Sequence, residues 1–366
     1  GSDGGALTEK NLVIDGVVPA ITITSNANDP QSGAFTATFT FTEDVTGFDI
    51  NDIVVSNGSV GGFNTTSAKI YTANITPTSD GTVTIDVAAD KATDMAGNAN
   101  TVATQLSITN DETAPAVTIT SNANDPQSGE FTATFTFSEA VSGFDINDIS
   151  VTNGSAGNFS TTSASVYTAK ITPSADGQVT VGVAANQAKD LAGNFNTAAT
   201  SINVTNDQTA PSLVSVTKDS DTQMTLTFSE PVVPGSNGHT SITVYAGNSK
   251  FENAVSASDG TAGDNEIVLT FNSLGALLGD LEVLHSGGST IADLAGNVYP
   301  LDGTGAKVDD TTAPTLVSAT KDSDTQITLT FSEEVQTLGT NPTDFIVVDD
   351  NNATFTVQAI ADGTPE

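Results

Sequence analysis

The feature that most constrains this chain is that it repeats itself. The run ITSNANDPQSG at Ile23–Gly33 returns unchanged at Ile119–Gly129, 96 residues later. The register then holds without a gap: Glu43 falls on Glu139, Gly47–Ile53 on Gly143–Ile149, Tyr71 on Tyr167, Asp94 on Asp190 and Pro115 on Pro211. A diverged third copy opens at Pro211, where Val214–Glu230 (VSVTKDSDTQMTLTFSE) recurs as Val317–Glu333 (VSATKDSDTQITLTFSE) at an offset of 103. The fourth copy therefore opens at Pro314 and runs for about half a domain to Glu366. Fixed-period repetition on this scale means an array of like units, each burying its own modest core. The boundaries read as 1–17, a terminal strand of a preceding repeat or a tail, then repeats at 18–113, 114–209 and 210–312, and a partial repeat at 313–366.

Within one copy, Thr132–Phe137, Ile149–Thr152, Val166–Ile171, Val179–Val183 and Ser201–Val204 are short runs of period-two alternation bounded by Gly, Asn, Asp and Pro. Such runs are strands, and several at this spacing predict an antiparallel β-sandwich. Roughly 100 residues and about seven strands is the immunoglobulin-like size. No helical period competes, and Gly275–Gly279 (GALLG) is one turn at most. The expected fold class is all-β: tandem immunoglobulin-like antiparallel β-sandwiches in a linear array. Phe39, Phe41, Phe135, Phe137, Phe228 and Phe331 are the expected core plugs.

Charge narrows the partners. The 366 residues carry 9 Lys+Arg, all of them lysine, against 44 Asp+Glu, for a net charge of −35. Nucleic-acid binding rests on Lys and Arg neutralising phosphates, so it is excluded. Anionic membrane surfaces are excluded by the same repulsion, and no apolar run approaches the roughly 18 residues of a span, so no membrane insertion of this segment is expected. With 37% hydrophobic residues in β-branched alternation, the composition is that of a folded β-protein and not of an acidic tail. There is no cysteine, so disulfides and thiolate chemistry are ruled out, and there is no tryptophan, the commonest sugar-stacking platform. No secretion leader is read at the start of the sequence, and localisation follows from the chemistry instead.

A second regularity appears when residues are counted from the proline that opens each copy: Pro19, Pro115, Pro211 and Pro314. Four residues before each stands an aspartate: Asp15, Asp111, Asp207 and Asp310. A glutamate closes the second strand of each copy as F-[ST]-E: Glu43, Glu139, Glu230 and Glu333. A D-x-A-G-N turn, Asp94–Asn98, Asp190–Asn194 and Asp293–Asn297, lies 21 residues before the next proline. In an immunoglobulin-like topology the B–C and F–G loops lie at the end where the chain enters, so these carboxylates are expected to converge. An all-oxygen set suits a hard cation, and Ca²⁺, which takes six to eight oxygens in a flexible cage, fits best. Asp and Asn in Asx-turns need no metal, and turn chemistry alone accounts for Asp94 and Asn98. It does not account for a linker aspartate and a strand-end glutamate kept in step through a third copy of changed length. Asp49/Asp52 and Asp145/Asp148 form a weaker second set in the B–C loop, because the third copy has Ser241–Ile242 there. The A–B loop (Asn28–Asp29, Asn124–Asp125) and the E–F turn (Asp80–Gly81, Asp176–Gly177) emerge at the opposite end, where they could add ligands to the next repeat.

The pattern TAP…ITSN…FTFSE-x-V-x-GF…DI-x-V-x-NG…YTA-x-ITP…G-x-V-x-V…A-x-D-x-AGN resembles the bacterial immunoglobulin-like repeats that build large surface adhesins. The third and fourth copies resemble repeats also found in S-layer-type surface proteins. The resemblance implies calcium at the domain junctions, held by Asp15, Glu43 and Asp94, by Asp111, Glu139 and Asp190, and by Asp207, Glu230 and Asp293. The third copy departs in its A–B loop and around Gly235–Thr240, and Asp310 and Glu333 lack their D-x-A-G-N turn and make a partial site.

A catalytic constellation would occur once, whereas these carboxylates recur with every copy, and His239 and His285 stand in no nucleophile motif, so no enzyme is expected. The leading expectation is a calcium-stiffened structural segment of an extracellular, cell-surface protein whose partners are neighbouring copies or other repeats of the same protein. One alternative is a self-assembling S-layer or fibre subunit, joined head to tail by strand complementation between Asn11–Asp15 and the partial fourth repeat. Another is a module for cell-surface glycans, disfavoured by no Trp and only 4 Tyr.

Overall fold

The protein is described by a computed structural model covering residues 15–220, 222–234, 242–246, 249–258, 263–272, 281–285, 291–300, 306–307, 315–323, 325–331, 346–348 and 354–356. The chain forms two compact units, one of Gly1–Ala123, Glu130–Ser174 and Gln178–Val204, the other of Asn124–Gly129, Ala175–Gly177 and Thr205–Glu366.

The first repeat runs β1 (Ile21–Ser25), β2 (Phe35–Phe41), β3 (Val45–Thr46), β4 (Ile53–Ser56), β5 (Gly58–Thr65), β6 (Ile70–Pro77), β7 (Gly81–Val87), β8 (Thr93–Asp94) and β9 (Leu106–Asn110). One sheet has the order β1-β2-β6-β5 and the other β4-β7-β9, with β3 and β8 forming a short separate ribbon. Every pairing is antiparallel. This is the ABED and CFG arrangement of the seven-stranded immunoglobulin sandwich. The second repeat reproduces it with β10 (Val117–Ser121), β11 (Phe131–Phe137), β12 (Ile149–Thr152), β13 (Gly154–Ser163), β14 (Val166–Pro173), β15 (Gly177–Val183) and β16 (Ile202–Asn206). Its sheets are β10-β11-β14-β13 and β12-β15-β16.

The third repeat comprises β17 (Leu213–Ser220), β18 (Gln223–Phe228), β19 (Val232–Pro234), β20 (Ile242–Ala246), β21 (Ser249–Asn253), β22 (Ser256–Ser258), β23 (Glu266–Thr270), β24 (Leu281–His285), β25 (Ile291–Asp293) and β26 (Ala306–Lys307). Its first sheet is β17-β18-β23-β22 and its second β21-β20-β24-β26, so it gains one strand beside β20. A tight hairpin between β17 and β18 replaces the A–B loop, which is where the sequence of this copy departs from the others. Two hairpins follow, β27 (Leu316–Ser323) with β28 (Gln326–Phe331) and β29 (Ile346–Val348) with β30 (Thr354–Thr356).

Alternation places the core. In FTATFTF the Phe and Ala side chains of β2 and β11 are buried and the threonines face outward, as the two-residue period of a strand requires. Phe39, Phe41, Phe135, Phe137 and Phe228 are all buried as expected, while the side chain of Phe331 lies outside the described residues. Phe48 reaches from the B–C loop to sit 5.2 Å from Phe41 and 5.1 Å from Tyr71, both edge-on, and Phe144 repeats this against Phe137 and Tyr167. Burying a large apolar side chain contributes about 1.5–3 kcal/mol, so these rings dominate each core. Tyr167 Oη donates to the carbonyls of Val141 (3.2 Å) and Ala164 (3.1 Å), tying the start of strand E to the B–C loop. Tyr167→Phe is expected to lower the stability of the second repeat by about 1 kcal/mol, the net worth of a buried hydrogen bond. Urea unfolding of the variant checks this.

The D strands β5 and β13 are not among the runs read from the sequence. Gly-Ser-Asn-Thr composition hides them, and bulges interrupt their pairing with β6 and β14. A 3-10 turn, Ile50–Asp52, likewise has no helical signal, and Asp49 and Asp52 cap it reciprocally. Asp145 and Asp148 do the same for Ile146–Asp148. Turn chemistry thus gives both B–C pairs a capping role of their own.

Candidate metal centres

The three junction triplets converge. Asp15, Glu43 and Asp94 present ligand atoms within 4.8 Å of one another, as do Asp111, Glu139 and Asp190, and Asp207, Glu230 and Asp293. Among the described residues these are the groups of three or more such side chains that could hold a metal ion. Asp310 and Glu333 lie outside the described residues, as do Lys10–Ile14, His239, the side chain of His285 and the segment Gly275–Gly279.

Each side chain has its own local cause. Asp94 sits on the two-residue strand β8, paired with Val45 just beyond Glu43, so the F–G aspartate and the end of strand B are brought side by side. The D-x-A-G-N turn folds back on its own aspartate: Asp94 Oδ1 accepts from Asn98 N (2.9 Å) and Oδ2 from Asn98 Nδ2 (2.8 Å). Its glycine must be Gly because φ is +90° at Gly97 and +97° at Gly193. Asp190 receives Gly193 N (2.6 Å), Asn194 N (2.8 Å) and Asn194 Nδ2 (2.8 Å), and Asp293 receives Asn297 N and Nδ2, both at 2.8 Å. The same amide nitrogen donates to the main-chain carbonyl of the linker aspartate, Asp15 (3.1 Å), Asp111 (2.8 Å) or Asp207 (2.8 Å). The linker carboxylates accept from the amide two residues on, Val17 N (3.0 Å), Thr113 N (3.1 Å) and Thr209 N (3.2 Å), in Asx-turns.

The glutamates are held differently. Glu43 Oε1 is buried with no hydrogen-bond partner. Burial, then the charges of Asp15 and Asp94, push the Glu43 carboxyl above the ordinary glutamate range. Burial raises Glu139, helped by Asp111, Asp190 and Asp80, and burial raises Glu230, helped by Asp207, Asp293 and Asp176. Asp94 moves the other way, because the Asn98 amide stabilises its charged form. Each cluster thus pairs hydrogen-bonded aspartates with a glutamate that has repulsive neighbours, and Glu43 keeps an unsatisfied acceptor. A cation would supply what that arrangement lacks, and the all-oxygen donor set could hold a hard divalent ion.

The loops at the opposite end of each repeat carry hydrogen bonds of their own. Asp29 Oδ1 accepts from Thr109 N (3.0 Å) and Asp125 Oδ1 from Thr205 N (3.0 Å), bracing the last strand of their own repeat. Asp80 and Asp176 accept from the linker, Glu112 N (2.7 Å) and Gln208 N (2.6 Å). Two asparagines absent from the sequence reading, Asn100 and Asn196, are 2% exposed and fully hydrogen-bonded beneath the F–G turn. Their signal was the recurrence of Asn two residues after D-x-A-G-N in the first two copies, with Tyr299 in the third.

Tandem immunoglobulin-like sandwiches with an acidic cluster where each linker meets the next repeat define the class. The model of the bacterial Ig-like domain matches residues 15–109 and again 111–206, and the chain belongs to that family. No curated protein matches the chain in sequence. Among solved structures it is similar to the Escherichia coli adhesin FdeC, at 16% identity over 81% of this chain and 98% of that one, with a TM-score of 0.38. It is also similar to invasin, a bacterial integrin-binding protein, at 16% identity over 93% of this chain and 74% of that one, with a TM-score of 0.32. A four-repeat piece from the extending region of a large adhesion protein is 18% identical over 76% of this chain and 75% of its own, with a TM-score of 0.25. Among the described residues no helix is long and apolar enough to cross a membrane.

Proposed function

We propose that this chain is a structural, non-catalytic segment of an extracellular protein at the bacterial cell surface, a stalk of immunoglobulin-like repeats whose junctions are stiffened by calcium. The repeats are those at 18–113, 114–209 and 210–312, preceded by 1–17 and followed by the partial repeat at 313–366. The observation that carries the reading is one convergent cluster of linker aspartate, strand-B glutamate and F–G aspartate, found at three successive positions and always where a linker joins its sandwich. A catalytic centre has no use for three equivalent copies, whereas an array that must resist bending needs one at every hinge.

The residues divide the work. Asp94, Asp190 and Asp293 are preset by their turns, Glu43, Glu139 and Glu230 are anchored at the end of strand B, and Asp15, Asp111 and Asp207 belong to the linker. A bound calcium ion would neutralise the carboxylates and tie the linker to the sandwich that follows it. Ca²⁺ suits this set better than Mg²⁺, which demands a tight octahedron and gives up its waters reluctantly.

Calcium is therefore expected to raise stability. A ligand at 100 times its Kd adds about 2.7 kcal/mol to the state that binds it. Thermal unfolding in EDTA, in millimolar Ca²⁺ and in millimolar Mg²⁺ tests this, with small-angle scattering under the same conditions expected to give a longer and less flexible particle in Ca²⁺. Equal unfolding temperatures in EDTA and Ca²⁺ overturn the metal assignment.

A further inference from the structure

The junctions also carry hydrogen bonds made by side chains outside the carboxylate triplets and by the main chain of the linkers. In the first unit, Ser32 Oγ of the A–B loop donates to Asn194 Oδ1 of the following repeat (2.7 Å). Asp80 of the E–F turn accepts from Glu112 N at 2.7 Å and from the Thr113 hydroxyl. The main chain of Gln31 adds its carbonyl to Asp111 N (3.0 Å), and Asn194 Nδ2 closes on Asp111 O from the other side (2.8 Å). Residues 111–113 are thus gripped by both repeats at once.

In the second unit the set recurs atom for atom. Ser128 Oγ donates to Asn297 Oδ1 (2.5 Å), Asp176 accepts from Gln208 N (2.6 Å) and the Thr209 hydroxyl, Gln127 O takes Asp207 N (3.1 Å), and Asn297 Nδ2 donates to Asp207 O (2.8 Å). The partner repeat has diverged here and its core differs, yet the contacts are the same. We propose that the loop end of a repeat is a metal-independent docking surface, in which Ser32 and Asp80, or Ser128 and Asp176, clasp a following repeat of the same kind through the Thr of its D-x-T-A-P linker and the Asn of its D-x-A-G-N turn.

The residue pattern is selective. Ahead of the first repeat the corresponding linker is Asp15-Gly16-Val17-Val18-Pro19, and valine has no hydroxyl for an E–F aspartate to hold, so the linker turn does not by itself require threonine. The sequence repeats the Asp–Thr pair at Asp280 and Thr312, both outside the described residues. In the two described clasps a carboxylate receives a main-chain amide and a hydroxyl together, charge-assisted bonds of the stronger kind. Such a clasp removes the hinge freedom that a short inter-domain linker otherwise keeps. It acts without a cation and so goes beyond the calcium reading.

The test uses the full chain, whose lack of cysteine permits clean labelling. Spin labels go on Thr66→Cys and Thr162→Cys, exposed equivalent positions of the first two repeats, and the distance distribution is measured by pulsed electron resonance in EDTA. The parent is expected to give a narrow distribution. Ser32→Ala with Thr113→Val, which copies the linker of the first repeat, is expected to lose that narrowness in EDTA, and Asp80→Ala to lose exchange protection at the Glu112 amide. A broad parent distribution in EDTA, or a variant as narrow as the parent with Glu112 protection intact, overturns the clasp. Adding calcium chloride separates the two readings. Narrowing of the variant upholds the calcium site as a second, distinct fastening. Failure to narrow sinks that site and leaves the metal-free result, and with it the clasp, standing.

Discussion

Glu139→Gln is expected to stabilise the second repeat when calcium is absent and, if the triplet holds calcium as proposed, to abolish any stabilisation by the ion. Both effects have one cause. Glu139 is pushed toward protonation by burial and by Asp111, Asp190 and Asp80, so its charged form works against the fold until a cation arrives. Glutamine keeps the shape and removes the charge, which relieves the repulsion and takes away a proposed ligand. At 100 times Kd the forfeited increment is about 2.7 kcal/mol. The pH dependence has a definite sign. A carboxyl whose folded pKa is raised binds its proton more tightly in the native state, so its contribution is fully present below the unfolded value near 4.5 and is lost as pH rises through the folded value. In EDTA, the advantage of the variant over the parent should therefore be largest at neutral pH and shrink as pH falls toward 4.5. Hydrogen exchange of peptides from β11 and β14 measures this repeat by itself, with β2 and β6 of the first repeat as internal control. A variant less protected than the parent in EDTA, or one that keeps the full calcium increment, contradicts the account.

Asn196→Ala is expected to loosen the F–G region of the second repeat and to lower its stability by about 2 kcal/mol. Asn196 Oδ1 accepts from Gln187 N (2.7 Å) and Ala188 N (2.8 Å), and Nδ2 donates to Ala184 O (2.9 Å) and Thr197 O (2.8 Å). Asn196 is 2% exposed, and alanine leaves the Ala188 amide buried without a partner and three part-buried main-chain groups to find water. An unpaired buried group costs about 1–3 kcal/mol, a sizeable share of the 5–15 kcal/mol that holds a typical domain. Asn196→Asp keeps the volume and the acceptors but loses both donors, and should fail at Ala184 and Thr197 alone. The third repeat serves as a natural comparison. There Tyr299 occupies the position, and its ring packs edge-on against Phe228 at 5.5 Å. Urea unfolding that leaves Asn196→Ala within about 0.5 kcal/mol of the parent, the range of an ordinary surface change, would refute this assignment.

The residues divide into those readable in the chain and those that are not. Repetition made the first kind legible. Laying the copies over one another shows Glu43, Glu139 and Glu230 as one position and Asp15, Asp111 and Asp207 as another, and period-two alternation marks FTATFTF as a strand with its phenylalanines inward. Both signals are local or strictly periodic, so composition and spacing along the chain are enough to define tandem sandwiches and a recurring acidic set.

The second kind depends on which main-chain groups meet across a fold. Asn100 and Asn196 look like surface turn residues until the F–G segment closes over them and each bonds two amides and two carbonyls of the main chain. Asp49 and Asp52, a weaker acidic pair in the sequence, cap the 3-10 turn between them reciprocally. Asp80 reads in the sequence only as an E–F turn residue that could add a ligand to the next repeat, and the fold brings the Glu112 amide, 32 residues on, and the Thr113 hydroxyl to it. The sequence by itself determined the repeats, most of the strands and the set of carboxylates. Only the tertiary structure decided which carboxylates lie within 4.8 Å of one another and which donors each one meets, because those partners come from segments the chain order keeps far apart.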